Sequence, residues 1–304
     1  MSSHRYVTLD VFTDLRFGGN QLAVFPDATG IPDALLLPIT REFNFAETAF
    51  CYPPMNPAHA ARVRIFTPGG EIPFAGHPTV GTAIALVAGE HVARDRSGRT
   101  RLVLEEGVGP VVVTVSDGGD GAARAQFTTA MLPELGPEPV SRAALAEVLS
   151  LTESDFADAP LAPQALSCGI PFLLVPLVSV DAVSRTRVRF DAWERALKGS
   201  WAPEVFVFAP DDRGGSTHYR ARMFAPRLNV PEDPATGSAC ACLAGYLSMR
   251  SERATGTLTW TVEQGVEMGR PSRIAIEADL YGGALRAIRV GGGAVLVSEG
   301  TLRT

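Results

Sequence analysis

Apolar and polar positions alternate in short runs over most of this chain, and two longer runs are apolar almost throughout. Short alternating runs are typical of half-buried strands, whereas a period near 3.6 is typical of a helix with one buried face. The alternating runs predict strands at residues 6–12, 21–25, 62–66, 102–104, 111–115, 125–128, 172–176, 205–208, 219–224, 257–262, 273–277, 285–290 and 295–298, with a glycine-rich turn at residues 118–121. The periodic segments predict helices at residues 35–43 (interrupted by Pro38), 142–149 and 191–198, and the two long apolar runs predict buried helices at residues 78–88 and 234–249. This order favours an α+β fold in which several antiparallel strands surround one buried helix, twice along the chain.

The two buried helices begin with related motifs. The first reads FAGHPTVGTAIAL over residues 74–86, and the second reads EDPATGSACACL over residues 232–243. Their shared skeleton is histidine or aspartate, proline, two residues, glycine, threonine or serine, and alanine. A polar cap followed by proline at the first helical position leaves backbone N–H groups facing outward, and such helix starts attract anions. Capping alone explains one such motif, but two at equivalent positions indicate a pair of carboxylate-binding helix starts.

The similarity extends beyond the helices, which indicates an internal repeat. Residues 64–68, RIFTP, correspond to residues 222–226, RMFAP. The sequence therefore predicts two similar α+β domains, at residues 1–130 and 140–292, joined by a proline-rich linker. It leaves open whether the final strand, residues 293–304, returns to the first domain.

Glu47 enters a strand that is otherwise apolar. An ionised carboxylate there without a partner would cost several kcal/mol, so Glu47 has to be paired or has to have a raised pKa. A raised pKa suits a general acid or base near neutral pH, whereas a salt bridge to an arginine such as Arg64 would be structural. Glu204 occupies the corresponding position of the repeat. On residue type alone, neither alternative and neither glutamate is preferred.

Two similar domains joined by a short linker tend to face each other across a cleft, and ligands commonly bind in such clefts. The sequence predicts that both helix starts converge on this cleft. The polar side chains expected on its walls are His77, Asp233, Thr82, Ser238, Glu47 and Asn20. An acid at one helix start and an imidazole at the other suit proton transfer to and from a bound acid. The structural alternatives are a satisfied core histidine at position 77 and an ordinary turn ahead of Asn20.

Composition narrows the range of partners. The 304 residues carry a net charge of −6, with a pI near 5.5 and no basic cluster, so a nucleic-acid binder is not expected. The four cysteines lack a zinc-ligand or disulfide pattern and are predicted to be small buried residues. The only lysine, Lys198, is a poor candidate for a pyridoxal phosphate Schiff base, so neither a cofactor nor a metal is expected. The absence of a signal peptide and of a membrane-spanning run predicts a cytoplasmic protein that binds small molecules.

These motifs resemble those of the PhzF-like isomerases of phenazine biosynthesis, within the diaminopimelate epimerase-like superfamily. The resemblance runs nearly end to end and is carried by residues 9–13, 17–25, 44–50, 65–68, 75–83 and 233–238. It implies two pseudo-symmetric α+β domains, each with antiparallel strands wrapped around a central helix, and a homodimer. It also implies a cofactor-independent isomerase that shifts a proton on a small carboxylate, as the phenazine enzyme does on a dihydro-hydroxyanthranilate.

The resemblance also implies roles for individual residues. Glu47, rather than Glu204, would be the acid/base that moves the proton. The residues implied to orient the substrate, to assist proton movement or to offer backbone N–H donors are His77, Asp233, Ser238, Gly76 and Gly237.

Two departures from related proteins stand out. Gln21 follows the Gly-Asn pair where the family commonly has proline, a change expected to alter only the loop. The paired cysteines of related racemases are absent, because Cys240 and Cys242 lie beyond Ser238, inside the predicted second helix. A two-thiol racemase is therefore disfavoured.

Three hypotheses follow. The first is a cofactor-independent isomerase that acts through Glu47. The second is an epimerase or lyase that acts on an amino or hydroxy acid in the same cleft. The third is a non-catalytic small-acid binding protein that keeps the fold, since a fold does not determine a function.

Overall fold

The computed structural model of the chain describes residues 2–118, 122–212 and 218–304. The chain forms two compact units. Unit 1 contains Met1–Ala130, Arg270–Arg273 and Arg289–Thr304, and unit 2 contains Met131–Gly269 and Ile274–Ile288. Of the turn predicted at residues 118–121, only Gly118 lies within the described residues. None of the described helices combines the length and the apolar composition that a membrane crossing requires.

The elements are named in chain order. The helices are α1 (Asp33–Phe43), α2 (Gly76–Ala88), α3 (Arg142–Leu149), α4 (Val180–Arg185), α5 (Phe190–Ala196) and α6 (Gly237–Ser248). The first strands are β1 (Ser3–Val11), β2 (Asn20–Phe25), β3 (Glu47–Tyr52), β4 (Ala61–Thr67), β5 (Gly70–Ile72), β6 (Arg99–Glu106), β7 (Gly109–Asp117) and β8 (Ala123–Thr128). The strands that follow are β9 (Glu134–Leu135), β10 (Gln164–Ser167), β11 (Pro171–Pro176), β12 (Glu204–Pro210), β13 (Tyr219–Ala225), β14 (Val230–Asp233), β15 (Gly256–Gln264), β16 (Ser272–Tyr281) and β17 (Ala284–Arg303).

In unit 1 the strands close into a ring. β1 pairs with β2, β2 runs parallel to β3, β3 pairs antiparallel with β4, and β4 runs parallel to β6. β6, β7 and β8 follow as an antiparallel meander, and β17 pairs with β8 and also with β1. The sheet is therefore mixed, and not wholly antiparallel as predicted. Because side chains alternate along a strand, every strand of the ring turns one face inward.

α2 lies inside this ring and contacts β1, β2, β3, β6, β7 and β8. Twelve of its thirteen residues are buried. A helix enclosed on all sides needs small side chains where strands come close. A Cβ on Gly81 would lie 2.6 Å from Cδ2 of Leu22 and 2.7 Å from Cγ2 of Val11. Glycine at this position therefore lets the helix approach β1 and β2.

α1 covers the outer face of the neighbouring strands in unit 1. Phe25, Phe50 and Phe66 form a cluster with residues of α1, and the rings of Phe25 and Phe50 stack 5.0 Å apart. Because side chains alternate along a strand and Phe50 lies on the outer face, Glu47 lies on the inner face, towards α2. By the same alternation, Phe25 lies on the outer face and Asn20 on the inner face. The packing of one aromatic layer thus orients two polar side chains on the other side of the sheet.

Unit 2 has connections of the same kind around α6. β11 runs parallel to β12, and β13 runs parallel to β15, with β14 and α6 in the connection between them. In unit 1 the corresponding parallel pairs are β2 with β3 and β4 with β6, and β5 and α2 lie in the connection between β4 and β6. α6 is buried over its whole length. Pseudo-symmetry between whole domains, at residues 1–130 and 140–292, remains a prediction.

The strands predicted at residues 285–290 and 295–298 form one continuous strand, so the break predicted between them is wrong. The glycines at residues 291–293 are paired with β8, and Gly291 lies opposite Gln126. A Cβ on Gly291 would lie 2.6 Å from the carbonyl oxygen of Ala125. These glycines therefore mark a close approach of two backbones and not a turn.

The pattern also missed several short elements, because few residues give too few repeats for a period to be recognised. They are α4, β5, β9, β10 and β14. β9 lies in the expected linker and pairs with β10, with Leu135 opposite Leu166. α1 continues through Pro38, which was expected to interrupt it.

We expect Gly81→Ala to lower the free energy of unfolding by about 1–3 kcal/mol, because the added methyl group overpacks the contact with Leu22 and Val11. Chemical denaturation measures the change. Gly199→Ala is the control, since a Cβ there meets nothing within 4 Å. A glycine in an open helix would instead gain about 1 kcal/mol on replacement by alanine, so a stabilised Gly81→Ala protein would contradict the packing argument.

Candidate active site

α2 begins with Ala75 as its N-cap and Gly76 as its first residue. The expectation that His77 is the cap and Pro78 the first helical residue is therefore wrong by two positions. The first N–H groups of a helix have no carbonyl partner within it, so proline is tolerated throughout the first turn. Thr79 makes the first intrahelical bond, from its N–H to the carbonyl of Ala75 at 3.2 Å. The N–H groups of Gly76 and His77 precede that bond and therefore have no partner within the helix.

Asn20, His77 and Glu47 form one chain of contacts at this helix start. Nδ2 of Asn20 lies 3.1 Å from Nδ1 of His77, and Nε2 of His77 lies 3.3 Å from Oε2 of Glu47. Asn20 is the first residue of β2 and Glu47 is the first residue of β3, and these two strands are parallel neighbours. The His77 side chain is 3% exposed, whereas the Glu47 side chain is 15% exposed. Glu47 is therefore the member of the chain that a ligand reaches most readily.

His77 is neutral at neutral pH. Burial lowers the pKa of His77 to about 3, and a hydrogen bond to the backbone of Gln21 acts in the opposite direction. Desolvation penalises the charged imidazolium form, so it dominates for an enclosed histidine. The contact between His77 and Glu47 is therefore one between a neutral imidazole and a carboxyl group, not a salt bridge between two ions.

An ion pair between Asp10 and Arg270 holds the loop that precedes Asn20. Nη2 of Arg270 donates to Asp10 and, at 2.6 Å, to the carbonyl of Gly18. Nε of Arg270 donates to the carbonyl of Gly19 at 2.8 Å. Gly19 has a φ of 62°, a conformation that favours glycine. The loop is thus a support for Asn20, and sequence reasoning missed Arg270 because it contacts a loop 251 residues away.

A second buried carboxyl group lies beside the same helix start. Glu106 ends β6, is 7% exposed, and has Oε1 at 2.8 Å from Oγ1 of Thr79. Burial raises the pKa of Glu106 to about 8. The preceding Glu105 points to the other face, where it accepts the N–H groups of Met55 and Asn56. The sequence missed Glu106 because the predicted strand ends at residue 104, before either glutamate is assigned a face.

Thr82 lies further along α2 than the site residues at the helix start. It is fully buried, and its hydroxyl oxygen has no hydrogen-bond partner among the described residues. A role of Thr82 in substrate binding remains a prediction.

In unit 2, α6 begins at Gly237 with Thr236 as its N-cap, and Ser238 is the second helical residue. Asp233, predicted as the cap, is instead the last residue of β14. The Thr236 hydroxyl donates to Oδ2 of Asp233, and Nε2 of Gln264 donates to the backbone carbonyl of Asp233 at 2.7 Å. Oε1 of Gln264 accepts the N–H of Thr236 at 3.2 Å. Gln264 carries no local sequence signal, since it lies 28 residues from the threonine that it supports.

The two glutamates that the sequence left undecided have different surroundings. Glu204 is 0% exposed and pairs with Nε of Arg227 at 3.1 Å. Burial raises the pKa of Glu204, while the bond to Arg227 and its charge lower it. Arg64, the structural partner considered for Glu47, pairs instead with Glu71 at 2.6 Å. A permanent cation thus accompanies Glu204, whereas a neutral imidazole accompanies Glu47.

All four cysteines are free and buried, which confirms the prediction from sequence. Burial raises the pKa of Cys240 and of Cys242, so both thiols resist ionisation inside α6. Over residues 2–118, 122–212 and 218–304, no group of three or more His, Cys, Asp or Glu side chains is placed to hold a metal ion.

A cavity of about 890 Å³ opens in unit 1 at the other end of α2. Ile84, Ala88 and Gly89 line it from the helix, and Val7 and Leu9 line it from β1. The residues that line this cavity include neither Glu47 nor His77. It is therefore separate from the contacts at the helix start.

Comparison with known proteins identifies close relatives over the whole chain. The family model described as phenazine biosynthesis-like protein matches residues 9–300. The chain is 41% identical to an uncharacterised isomerase of Mesorhizobium japonicum, over 99% of both chains. It is 35% identical to trans-2,3-dihydro-3-hydroxyanthranilate isomerase of Pseudomonas fluorescens, over 98% of this chain and 99% of that one. The crystal structure of the Bacillus anthracis phenazine biosynthesis protein of the PhzF family has the same fold, with a TM-score of 0.89 over 100% of both chains at 24% identity.

We expect the stability of the protein to fall as the pH falls from about 6.5 towards 3, in part because of His77. The unfolded state binds a proton in this range and the folded state does not, so acid favours unfolding. In His77→Gln this contribution is absent. The difference in unfolding free energy between the wild type and His77→Gln should therefore shrink by about 3 kcal/mol between pH 7.5 and 4.5. Denaturant titrations at the two pH values measure this difference, and His91→Gln, at an exposed position, is the control. If the unfolding free energies of the wild type and of His77→Gln change equally with pH, the burial argument is contradicted.

We expect Glu106→Gln to raise the free energy of unfolding by about 3 kcal/mol at pH 7. The folded wild type holds a proton on Glu106 up to about pH 8, whereas the unfolded chain releases it near 4.5, so wild-type stability falls as pH rises between these values. Glutamine keeps a donor for Thr79 and removes this linkage. Glu105→Gln is the matched control and should give no such gain, because Glu105 is a bound carboxylate whose pKa the N–H groups of Asn56 and Met55 lower. A loss of stability in Glu106→Gln would show that Glu106 is ionised in the native protein.

Proposed function

Because the chain belongs to the phenazine biosynthesis-like protein family, we propose that it is an isomerase that moves a proton between two positions of a small carboxylate substrate without a cofactor. The observation that carries this chemistry is the contact between Glu47 and neutral His77 at the start of α2. The substrate is proposed to bind in the interdomain cleft expected from the sequence. The protein is also proposed to be a homodimer, as the resemblance implies, and sedimentation equilibrium tests this.

In this proposal Glu47 takes a proton from a carbon atom of the substrate and returns it at another position. Its side chain is 15% exposed, so it is accessible to a ligand while most of its surface is screened from water. A carboxyl group that a ligand can reach and that lies beside a neutral imidazole is placed to take a proton and to return it. Glu204 is less suited to this role, because Arg227 stabilises its ionised form.

His77 is proposed to hold the Glu47 carboxylate as a neutral hydrogen-bond donor. A neutral imidazole has one nitrogen that donates and one that accepts. Nδ2 of Asn20 is an N–H donor and faces Nδ1 of His77, so Nδ1 accepts and the ring proton lies on Nε2, which faces Glu47. The separation of 3.3 Å between His77 and Glu47 is within the looser range of catalytic contacts before a substrate binds.

The substrate carboxylate is proposed to bind the N–H groups at a helix start. Gly76 and Gly237 are the first residues of the two buried helices, where the helix dipole and the N–H groups favour an anion. Asp233 and Ser238 are proposed to orient the substrate at the start of α6. The bonds from Thr236 and Gln264 hold Asp233 in place for this task.

We expect Glu47→Gln to abolish the exchange of substrate carbon-bound hydrogen for solvent deuterium. General acid/base groups contribute about 10²–10⁴-fold, so the exchange rate should fall by at least about 100-fold. The measurement is deuterium incorporation by mass spectrometry into a panel of small cyclic and amino carboxylates. Glu204→Gln is the matched control, because Glu204, like Glu47, begins a strand that runs parallel to its neighbour. The Glu204→Gln protein should exchange hydrogen at the wild-type rate.

Full exchange in a folded Glu47→Gln protein would overturn the proposed role of Glu47. Exchange that depends on Glu47 but gives an epimer or an elimination product would favour the epimerase or lyase hypothesis over the isomerase. Tight binding of carboxylates with no exchange in the wild type, and equal affinity in Glu47→Gln, would favour a non-catalytic binding protein.

A further inference from the structure

A chain of hydrogen bonds ties Glu106 to the backbone that begins α2. Oε1 of Glu106 lies 2.8 Å from Oγ1 of Thr79, and the same Oγ1 lies 2.8 Å from the carbonyl oxygen of Ala75. Ala75 is the N-cap residue, directly before Gly76 and His77. The end of β6 is thereby connected through one hydroxyl group to the peptide that leads into the candidate active site.

Counting protons along this chain determines which group donates. The Thr79 hydroxyl has one proton, and a carbonyl oxygen can only accept. When both bonds are kept, Thr79 donates its proton to Ala75, and the hydrogen of the other bond has to come from Glu106. Two full hydrogen bonds at these distances therefore need a protonated carboxyl group. If Glu106 ionises, both neighbours of the Thr79 hydroxyl become acceptors, and its one proton can satisfy only one of them.

The surroundings of Glu106 favour the protonated form. No ion pair to Glu106 is present among the described residues. The buried thiol of Cys51 on β3 interacts electrostatically with Glu106, and it is neutral at neutral pH because burial raises its pKa to about 12. Oε2 of Glu106 is buried and accepts no hydrogen bond within the described residues. An ionised carboxylate with one bond and no cation would be poorly stabilised there.

We propose that Glu106 is a positioning residue: its protonated carboxyl group holds Thr79 on the carbonyl of Ala75 and thereby fixes the first turn of α2, which carries Gly76 and His77. Its catalytic consequence rests on the proposed function, but the structural coupling does not. Ionisation of Glu106 at alkaline pH withdraws the Thr79 proton from Ala75 and loosens the helix start. Glu106 itself does not contact the substrate in this scheme, because both its oxygens are turned to the interior.

The test follows the backbone amides of Gly76 and His77 in the full-length protein by NMR, between about pH 6 and pH 9.5. The side-chain carboxyl carbon of Glu106, labelled with ¹³C, is followed in the same samples. We expect the carboxyl signal and the Gly76 amide signal to titrate together, with one midpoint near 8. Glu106→Gln should abolish the titration of the Gly76 amide. Glu105→Gln, which changes the adjacent residue on the opposite face, should leave it intact.

Variants at Thr79 test the connection itself. Thr79→Val keeps the shape and removes the hydroxyl group, so it should uncouple the Gly76 amide from Glu106, and Thr79→Ser should restore the coupling. If exchange activity is present, the wild-type rate should be about tenfold lower at pH 9 than at pH 7, whereas Glu106→Gln should lose this alkaline decline.

Three results would overturn the positioning role: a Glu106 carboxyl group that is already ionised at pH 7, a Gly76 amide that does not respond when Glu106 titrates, or a response that persists in Glu106→Gln. These readouts need no substrate. A protein without exchange activity would contradict the proposed function, while the NMR titration would still decide whether Glu106 positions the helix start.

Discussion

The structure depends on one constraint: each buried helix begins where its first backbone N–H groups have no partner within the helix. Burial removes the water that would otherwise satisfy polar groups there, and the N-cap side chain accepts no N–H group in either helix. In unit 1, Asn20, His77 and Glu47 form one chain of contacts at this point, and Thr79 and Glu106 form another. In unit 2 a threonine, a glutamine and an aspartate make a comparable network at the start of α6. Polar side chains are thus concentrated at the start of each buried helix.

Desolvation shifts two pKa values in opposite directions at the start of α2, for one reason. A buried base resists gaining a proton and a buried acid resists losing one, because each change would create a charge. His77 and Glu106 are therefore both neutral, although one is a base and the other an acid. Glu204 in unit 2 lies beside Arg227, which favours one fixed ionisation state. Two glutamates at corresponding strand starts thus have electrostatic surroundings suited to different tasks.

Much of this arrangement could be predicted from local sequence. The long apolar runs identified both buried helices, and the apolar residues after Glu47 placed it at the start of a strand, which the structure brings to His77. The residues that support the site, Arg270 and Gln264, could not be predicted. Each contacts groups that are distant in sequence, and such contacts follow no periodic pattern. The caps were misassigned because proline and polar residues are acceptable at any position of a first turn, so their presence does not determine where the helix begins.

β17 has a consequence for the order in which the chain folds. Ser3 pairs with Arg303 and Val11 pairs with Ala294, so the outer edge of β1 is completed by residues made after almost all of unit 2. During synthesis β1 leaves the ribosome with that edge unpaired, and it stays unpaired while residues 131–288 are added. An unpaired strand edge can accept a wrong strand from another chain, which makes this interval the time of greatest exposure to misassembly. The unit that is synthesised first is thus the unit that is finished last.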